Sequence, residues 1–333
     1  MEKQAVTIYD VAREAGVSMA TVSRVVNGNA NVKPATKEKV QAVIDKLNYR
    51  PNAIARGLAS RKTTTVGLVV PDITNQYFAE LARGIDDVAK MYNYQIILAG
   101  ADESNQEGAE VLDNLLGKQV DGIIFIGNQL SDKVRERLAS VDMPTVFAGS
   151  IDRQGTDPSV NINYQQAFKE ATDILVKHGH QRIAFISGSL NHVINQEHKL
   201  AGYQQALVDA GLPLDKALVF QGDYSYQSGY AMTNQLRAIK ATAAIVVNDE
   251  MAAGLLNGLT DSGVQVPADF EVITSNSSKL TEMTRPQLST ITQPIYDIGA
   301  VSMRALTKLL AQEPLDDDQV TLAHGFSKRG TTR

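Results

Sequence analysis

The stretch TIYDVAREAGVSMATVSRVVNG, residues 7–28, constrains this chain more than any other. Ile8, Val11, Ala12 and Ala15 recur at i, i+3, i+4 and i+7, which sets them on one face of a helix. Gly16 follows, where the chain must turn and a side chain would be costly. Ser18 can cap a second helix in which Val22, Val25 and Val26 turn inward. Two short helices about a glycine turn make a helix-turn-helix, whose second helix is shaped for a DNA major groove. A third helix is expected from about Pro34 to Leu47, with Val40, Val43, Ile44 and Leu47 as its apolar face and Pro34 in its first turn.

The exposed face of the second helix carries mostly small residues, so the helix can sit deep in the groove. Arg24 can fork onto a guanine edge, while Met19 and Ala20 can meet a thymine methyl. Thr7, Ser18, Thr21 and Ser23 have the length to reach phosphates or base edges. Charge agrees with this reading. Residues 1–62 hold eleven Lys/Arg against five Asp/Glu, in a chain whose net charge is −5. A small basic head on a larger acidic body suits a polyanion-binding domain joined to something with another task. A plain three-helix bundle packed on the body would explain the helices but not the groove-ready face.

In YRPNAIARGLAS, residues 49–60, Asn52 can cap a helix over 53–60. Such a helix falls short of the roughly 12–15 residues needed alone, and Gly57 weakens it further. It is expected to order only against a partner. Arg56 and Leu58 are a cation and an apolar wedge, the equipment for opening a minor groove. SRKTTT, residues 60–65, reads as linker.

Beyond the head, apolar runs alternate with amphipathic helices. Strands are expected at 66–70, 95–98, 122–126, 145–148, 183–187, 244–247 and 271–274, and helices at 78–92, 164–178 and 251–262. This alternation implies parallel sheets covered on both faces. Seven or more strands suit two subdomains better than one, with ligands in the crevice beyond the strand ends. The chain has no Cys, so disulfides and thiolate sites are excluded. No run reaches the roughly 18 apolar residues of a membrane span. No apolar leader opens the chain, so a cytoplasmic, nucleoid-associated protein is expected. No P-loop, G-x-S-x-G or G-x-G-x-x-G sequence appears. His178 and His180 read as flanking a turn, and His192, Glu197 and His198 lack zinc-site spacing. Neither an enzyme nor a metal or cofactor site is expected.

Residues 7–27 match T-x-x-D-V-A-x-x-A-G-V-S-x-x-T-V-S-R-V-x-N throughout, and on that match the chain resembles the LacI/GalR family of bacterial transcription regulators. RPNAIARGLAS resembles the family's hinge helix, with Leu58 at the intercalating position. The resemblance adds Asn31 to the DNA-binding set and implies a homodimer on a pseudo-palindromic double-stranded operator. VPDITNQYFAELARGID (70–86) and RPQLSTITQPIYDIGAVSMRALTKLL (285–310) are similar to family motifs of the body. They imply an all-α helix-turn-helix head plus an α/β body with a two-subdomain periplasmic-binding-protein-like fold. The implied division is a head over 1–50 and a hinge and linker over 51–64. Residues 65–161 with about 293–322 would form one core subdomain, and 162–292 with about 323–333 the other.

Two departures bear on the crevice. Lys199 stands where sugar-sensing members carry Arg, and Asn276 where they carry Asp. Lys does not reproduce the planar fork of Arg, so a tight sugar site is not expected. On the helix over 296–308, Ile298, Val301, Ala305 and Leu309 read as the core stripe. Asp297, Arg304 and Lys308 form a separate stripe about 100° round. An Arg with a Lys one turn on suits a phosphate-bearing partner, although spacing alone favours an ordinary solvated face. The resemblance extends to family members that govern carbon catabolite genes. It implies the serine-phosphorylated phosphocarrier protein HPr as corepressor, contacted through Tyr92, Tyr296, Asp297, Arg304 and Lys308. Phosphorylated sugars are the small effectors it allows, as weak ligands. Gly325 departs from the basic residue expected after His324. The alternatives are a sugar-responsive repressor of one operon and, in another class, a solute-binding protein.

Overall fold

The structure, a computed structural model, describes residues 6–28, 31–50, 62–101, 105–127, 132–151 and 157–333. It divides into two units, Met1–Thr63 and Thr64–Arg333. In the first, α1 (Ile8–Ala15), α2 (Met19–Val26) and α3 (Pro34–Leu47) enclose a small core of Val11, Ala12, Ala15, Val22, Val25 and Val40. Gly16 ends α1 at φ +59°, a left-handed conformation that side chains disfavour. The Ser18 hydroxyl opens α2 by accepting from the Thr21 N–H at 3.2 Å, which satisfies one of the helix's unpaired amides.

The second unit is built on two six-stranded sheets. The chain lays down β1 (Thr65–Val70), β2 (Gln95–Gly100), β3 (Gly122–Ile126), β4 (Thr145–Ala148) and β5 (Ser159–Ile162) in the first. It crosses to the second for β6 (Ile183–Ser187), β7 (Val219–Gln221), β8 (Ala243–Val246), β9 (Glu271–Thr274) and β10 (Ser289–Thr292). It returns for β11 (Gln319–Leu322) and crosses again for β12 (Gly325–Ser327). The strand orders are β11-β5-β4-β3-β1-β2 and β12-β10-β9-β8-β6-β7. Every pairing is parallel except β12 against β10.

Alternation within the strands explains how both faces of a sheet are covered. Val66, Leu68, Val70, Ile124 and Ile126 pack on the side of helix α4 (Gln76–Met91), with its Leu81, Ile85 and Val88. Val69, Ile123 and Phe125 point the other way, onto Leu112 and Leu115. Side chains of successive residues face opposite sides, so a sheet buried on both sides needs an unbroken apolar run.

Seven strands were expected, and the described residues form twelve. The five unforeseen ones are three or four residues long. Two of them, SVNI and STIT, are half and three-quarters polar. The core stripe expected on the helix over 296–308 is also corrected. In α7 (Ile295–Leu310), the buried residues are Ile295, Ile298, Gly299, Ala300, Ser302, Met303, Leu306 and Thr307. Val301, Ala305 and Leu309 lie half-buried on its flank. The reason is close approach to α4. A Cβ on Gly299 would come within 2.1 Å of the Leu81 carbonyl oxygen, and one on Gly84 within 2.1 Å of the Tyr296 carbonyl oxygen. Small residues, rather than the branched ones, therefore sit at the crossing.

His178 and His180 do flank a turn, and they also bind a buried carboxylate. Glu271 is fully buried and lies 2.7 Å from His178 Nδ1, 3.3 Å from His180 Nε2 and 2.6 Å from Arg333 Nε. Burial pushes Glu271 up, but the bonds to Arg333, His178 and His180 together hold it below its ordinary range. Burial of His180 depresses that imidazole.

Candidate functional sites: the head helix, the crevice and a helix-pair face

On the head, α2 presents Met19, Ala20 and Arg24 to solvent, with Met19 42% exposed. Among the described residues Arg24 has no hydrogen bond or ion pair, whereas Arg13 is held by Asp10 at 2.7 Å and Lys46 by Glu14 at 2.6 Å. Arg24 is thus a free fork on the face that would meet DNA. The hydroxyls are more committed than expected. Thr7 donates to Asp10 at 2.8 Å, Ser18 and Thr21 share a bond of 2.9 Å, and Ser23 accepts from Asn27 at 3.4 Å. In the free protein these groups shape the helix ends, and reaching a phosphate requires them to exchange partners. Asn31 is exposed. Arg56, Leu58 and the expected helix over 53–60 lie outside the described residues.

In the body, the C-terminal ends of both sheets meet around a cavity of about 390 Å³. Pro71, Gly127 and Gly149 line it from the first sheet, and Ser189, Asn248 and Asn276 from the second. Lys199 and Asn276, far apart in sequence, both line this cavity. Lys199 lies in a seven-residue π-helical stretch, Ile194–Leu200. Its ammonium stands 5.7 Å from the ring centroid of Tyr164 and 5.8 Å from that of Phe168, both on α5 (Tyr164–Lys177). Its exposure is to the cavity, and burial brings its pKa down to about 8. Asn276 is fixed by its neighbours. Its N–H donates to Asp249 at 3.2 Å, and its Oδ1 accepts from Gln293 at 3.4 Å. Asp249 heads α6 (Asp249–Asp261) as a buried carboxylate and also accepts from Thr274 at 2.7 Å and from the Ser278 N–H at 2.8 Å. Asp249 and Gln293 were missed in the sequence, where neither carries a local signal. Among the described residues, no group of three or more His, Cys, Asp and Glu could hold a metal ion.

The third site lies where α4 and α7 cross. Tyr92 is 50% exposed, and Tyr296 and Asp297 are exposed beside Arg304. On a helix of 100° per residue, Asp297, Arg304 and Lys308 fall within about 40° of one another. Tyr296 donates to Asp87 at 3.1 Å. Arg304 has no side-chain partner among the described residues. Lys308 is paired with Asp316 at 2.7 Å, and that carboxylate raises its pKa. Met91, 72% exposed, and the exposed Arg83 belong to the same neighbourhood on α4 and were not foreseen. Mid-helix glycines in LARGI and YDIGAV were the available clue, since two such glycines let helices approach closely.

Two family models match the chain. "Bacterial regulatory proteins, lacI family" matches residues 7–52, and "Periplasmic binding proteins and sugar binding domain of LacI family" matches 63–306. The chain is 54% identical to catabolite control protein A of Streptococcus mutans, over 98% of each sequence. Among solved structures it is similar to the transcription regulator CcpA of Lactococcus lactis. There the TM-score is 0.78 at 44% identity, covering 81% of this chain and 99% of that one. It is also similar to a lac repressor dimer solved bound to operator and the anti-inducer ONPF. That match has TM-score 0.89 at 29% identity and covers 99% of each chain.

Proposed function

The chain belongs to the LacI family of DNA-binding transcription regulators, and from that premise we propose that it controls carbon catabolite genes as a dimer on pseudo-palindromic operators, with serine-phosphorylated HPr as corepressor. The single observation that carries this reading is the α4–α7 face, where an unpaired, exposed Arg304 stands beside Lys308 between two exposed tyrosines. A phosphoserine brings roughly −1.5 to −2 charges and three acceptor oxygens, which a guanidinium fork and an ammonium can take together. Tyr92, Tyr296 and Asp297 would frame the rest of the partner's surface. On DNA, Arg24 would read a guanine, with Met19 and Ala20 on thymine methyls. Thr7, Ser18, Thr21, Ser23 and Asn31 would position the helix, and Arg56 and Leu58 would work the minor groove. The protein would act in the cytoplasm, as a regulator and not as an enzyme.

The test is operator affinity of the full-length protein at fixed salt, with and without serine-phosphorylated HPr. Salt is held because phosphate contacts are screened. Arg304→Ala is expected to remove about 10- to 100-fold of the enhancement, the worth of one charge-assisted hydrogen bond, and to leave basal operator affinity within about two-fold. An Arg304→Ala protein that responds as fully as the parent would move the corepressor elsewhere.

A second reading, a small-molecule effector, is favoured by the cavity at the strand ends, whose lining includes Asn75, Asn248, Asn276 and Gln293. If a neutral sugar alone produced the whole change in operator affinity, that reading would replace the first.

A further inference from the structure

Lys199 is unusual among the charged groups of the body. It lines a cavity open to small molecules, yet among the described residues no carboxylate and no hydrogen-bond acceptor holds its ammonium. Its neighbours are the Tyr164 and Phe168 rings. The carboxylates on the cavity wall are satisfied by their own loops. Asp72 accepts from the Thr74 hydroxyl at 2.7 Å and N–H at 2.8 Å, and Asp223 from the Ser225 hydroxyl at 2.6 Å and N–H at 3.0 Å. The remaining titratable groups here are Tyr77, Tyr164 and Tyr224 on the wall and Glu197 and His198 on its own helix. Burial drives both Tyr77 and Tyr164 upward, so neither is an anion that could pair with the lysine. A lysine that is desolvated and unpaired keeps a usable population of free amine, the condition for a Schiff-base nucleophile.

The polar groups that line the same cavity suit a hydroxylated ligand. Gln293 donates through Nε2 to the Ser275 carbonyl and to Asn276, while its Oε1 is buried without a partner. Asn75, Asn248 and Ser189 add further polar groups. At about 390 Å³ the space lies within the roughly 300–1,000 Å³ usual for small-molecule sites.

We propose that Lys199 is a covalent capture site, whose amine forms a reversible imine with a small hydroxylated aldehyde seated in the crevice. The amine lone pair attacks the aldehyde carbon and the C–N bond forms. The carbonyl π pair moves to oxygen, which takes a proton from nitrogen to give the carbinolamine. The C–O bond then breaks, water leaves with the second amine proton, and the nitrogen lone pair closes the C=N bond. No oxidant or reductant is consumed, and hydrolysis reverses the capture.

The experiment treats the full-length protein with D-glyceraldehyde and traps any imine with cyanoborohydride, and peptide mass mapping reads each lysine. It needs neither operator nor phosphoprotein, so its outcome is separate from the corepressor reading. An amine titrating near 8 is roughly one-tenth unprotonated at neutral pH, against roughly one part in 10³ for an ordinary lysine. Lys199 is therefore expected to label on the order of 10²-fold faster than the exposed Lys177 and Lys240, an advantage that shrinks above pH 8. Lys199→Arg keeps a cation and should remove the fast phase. Propanal, lacking the hydroxyls, should label Lys199 several-fold more slowly once normalised to Lys177. Labelling no faster than Lys177 and Lys240, a fast phase that survives in Lys199→Arg, or equal normalised rates for the two aldehydes would each overturn the proposal.

Discussion

Gly84→Ala sets two effects of opposite sign against each other. In an exposed helix interior, alanine is favoured over glycine by about 1 kcal/mol, and α4 would gain that if nothing touched the new methyl. Here the added Cβ would lie 2.1 Å from the Tyr296 carbonyl oxygen and 3.0 Å from the Ala300 nitrogen, both backbone atoms of α7. A side chain could swing aside, but a helix backbone cannot. To reach an ordinary contact near 3.4 Å the two helices must part by roughly 1 Å, loosening Leu81 and Ile85 against Ile298. Overpacking of that kind costs about 1–3 kcal/mol, and a backbone obstacle belongs at the upper end. The net expectation is a loss of about 2 kcal/mol. Urea denaturation of the parent and the variant, fitted with a common slope, measures it. Gly117→Ala is the control, because no atom lies within 4 Å of its Cβ position at the end of helix Asn105–Gly117, and it should be neutral or slightly stabilising. Since α7 carries Tyr296 and Arg304 and Tyr92 caps the end of α4, Gly84→Ala should weaken phosphoprotein binding as well. A variant as stable as the parent would mean that helix propensity wins and that the helices are not in contact at Gly84.

Arg24→Ala should cost about 1–3 kcal/mol of operator binding and relax discrimination at one base pair per half-site. Equal losses on operator and random DNA, in a fluorescence titration, would reassign it to the phosphate backbone. Asp316→Asn frees Lys308 from its internal partner and should raise affinity for the phosphoprotein by about two- to five-fold, because so exposed a pair is weak. Calorimetry showing unchanged or reduced affinity would refute that competition. Arg333→Met removes one of three partners of buried Glu271 while two imidazoles remain, and should destabilise the body by about 1–2 kcal/mol in chemical denaturation. Acid should act on the same cluster. His180 is depressed in the folded state, so below about pH 6.5 the unfolded chain binds that proton first and stability falls. Glu271 is also depressed, so its contribution is present above the ordinary carboxylate range and is lost as pH falls below about 4.3. Melting temperatures that stay flat from pH 7 to 5 would contradict the first, and ones that stay flat from pH 5 to 3 the second.

The helices of the head were legible because each states its period, its cap and its stop within a dozen residues: Ile8 to Ala15, Gly16, Ser18. The long strands were legible because GIIFI and the IAFI of IAFIS are unbroken apolar runs. STIT and SVNI are not, and what makes them strands is pairing with β9, β12, β4 and β11, a tertiary fact. The core face of α7 was misread for a related reason. Branched residues marked one stripe, but the closest contact belongs to Gly299, where the absence of a side chain is the interaction. The crevice was legible only in part. Lys199 and Asn276 stood out by departing from a motif, whereas Asp249 and Gln293 matter only through the loop and wall they reach.

The crevice and the α4–α7 face are joined by one short segment. Gln293 bonds the loop that carries Asn276, and α7 begins two residues later, with Tyr296 in its first turn. A ligand that displaces Gln293 would act two residues before the start of α7, the helix proposed to receive the phosphoprotein. That connection alone carries no regulation. A ligand in the crevice alters the phosphoprotein's affinity only to the extent that it binds two arrangements of the two sheets unequally, and tight binding to both would shift nothing. Where such a difference exists it is reciprocal: the phosphoprotein must change the crevice ligand's affinity by the same factor. The two sites are therefore best titrated together, because an effect measured in one direction alone leaves competition and coupling indistinguishable.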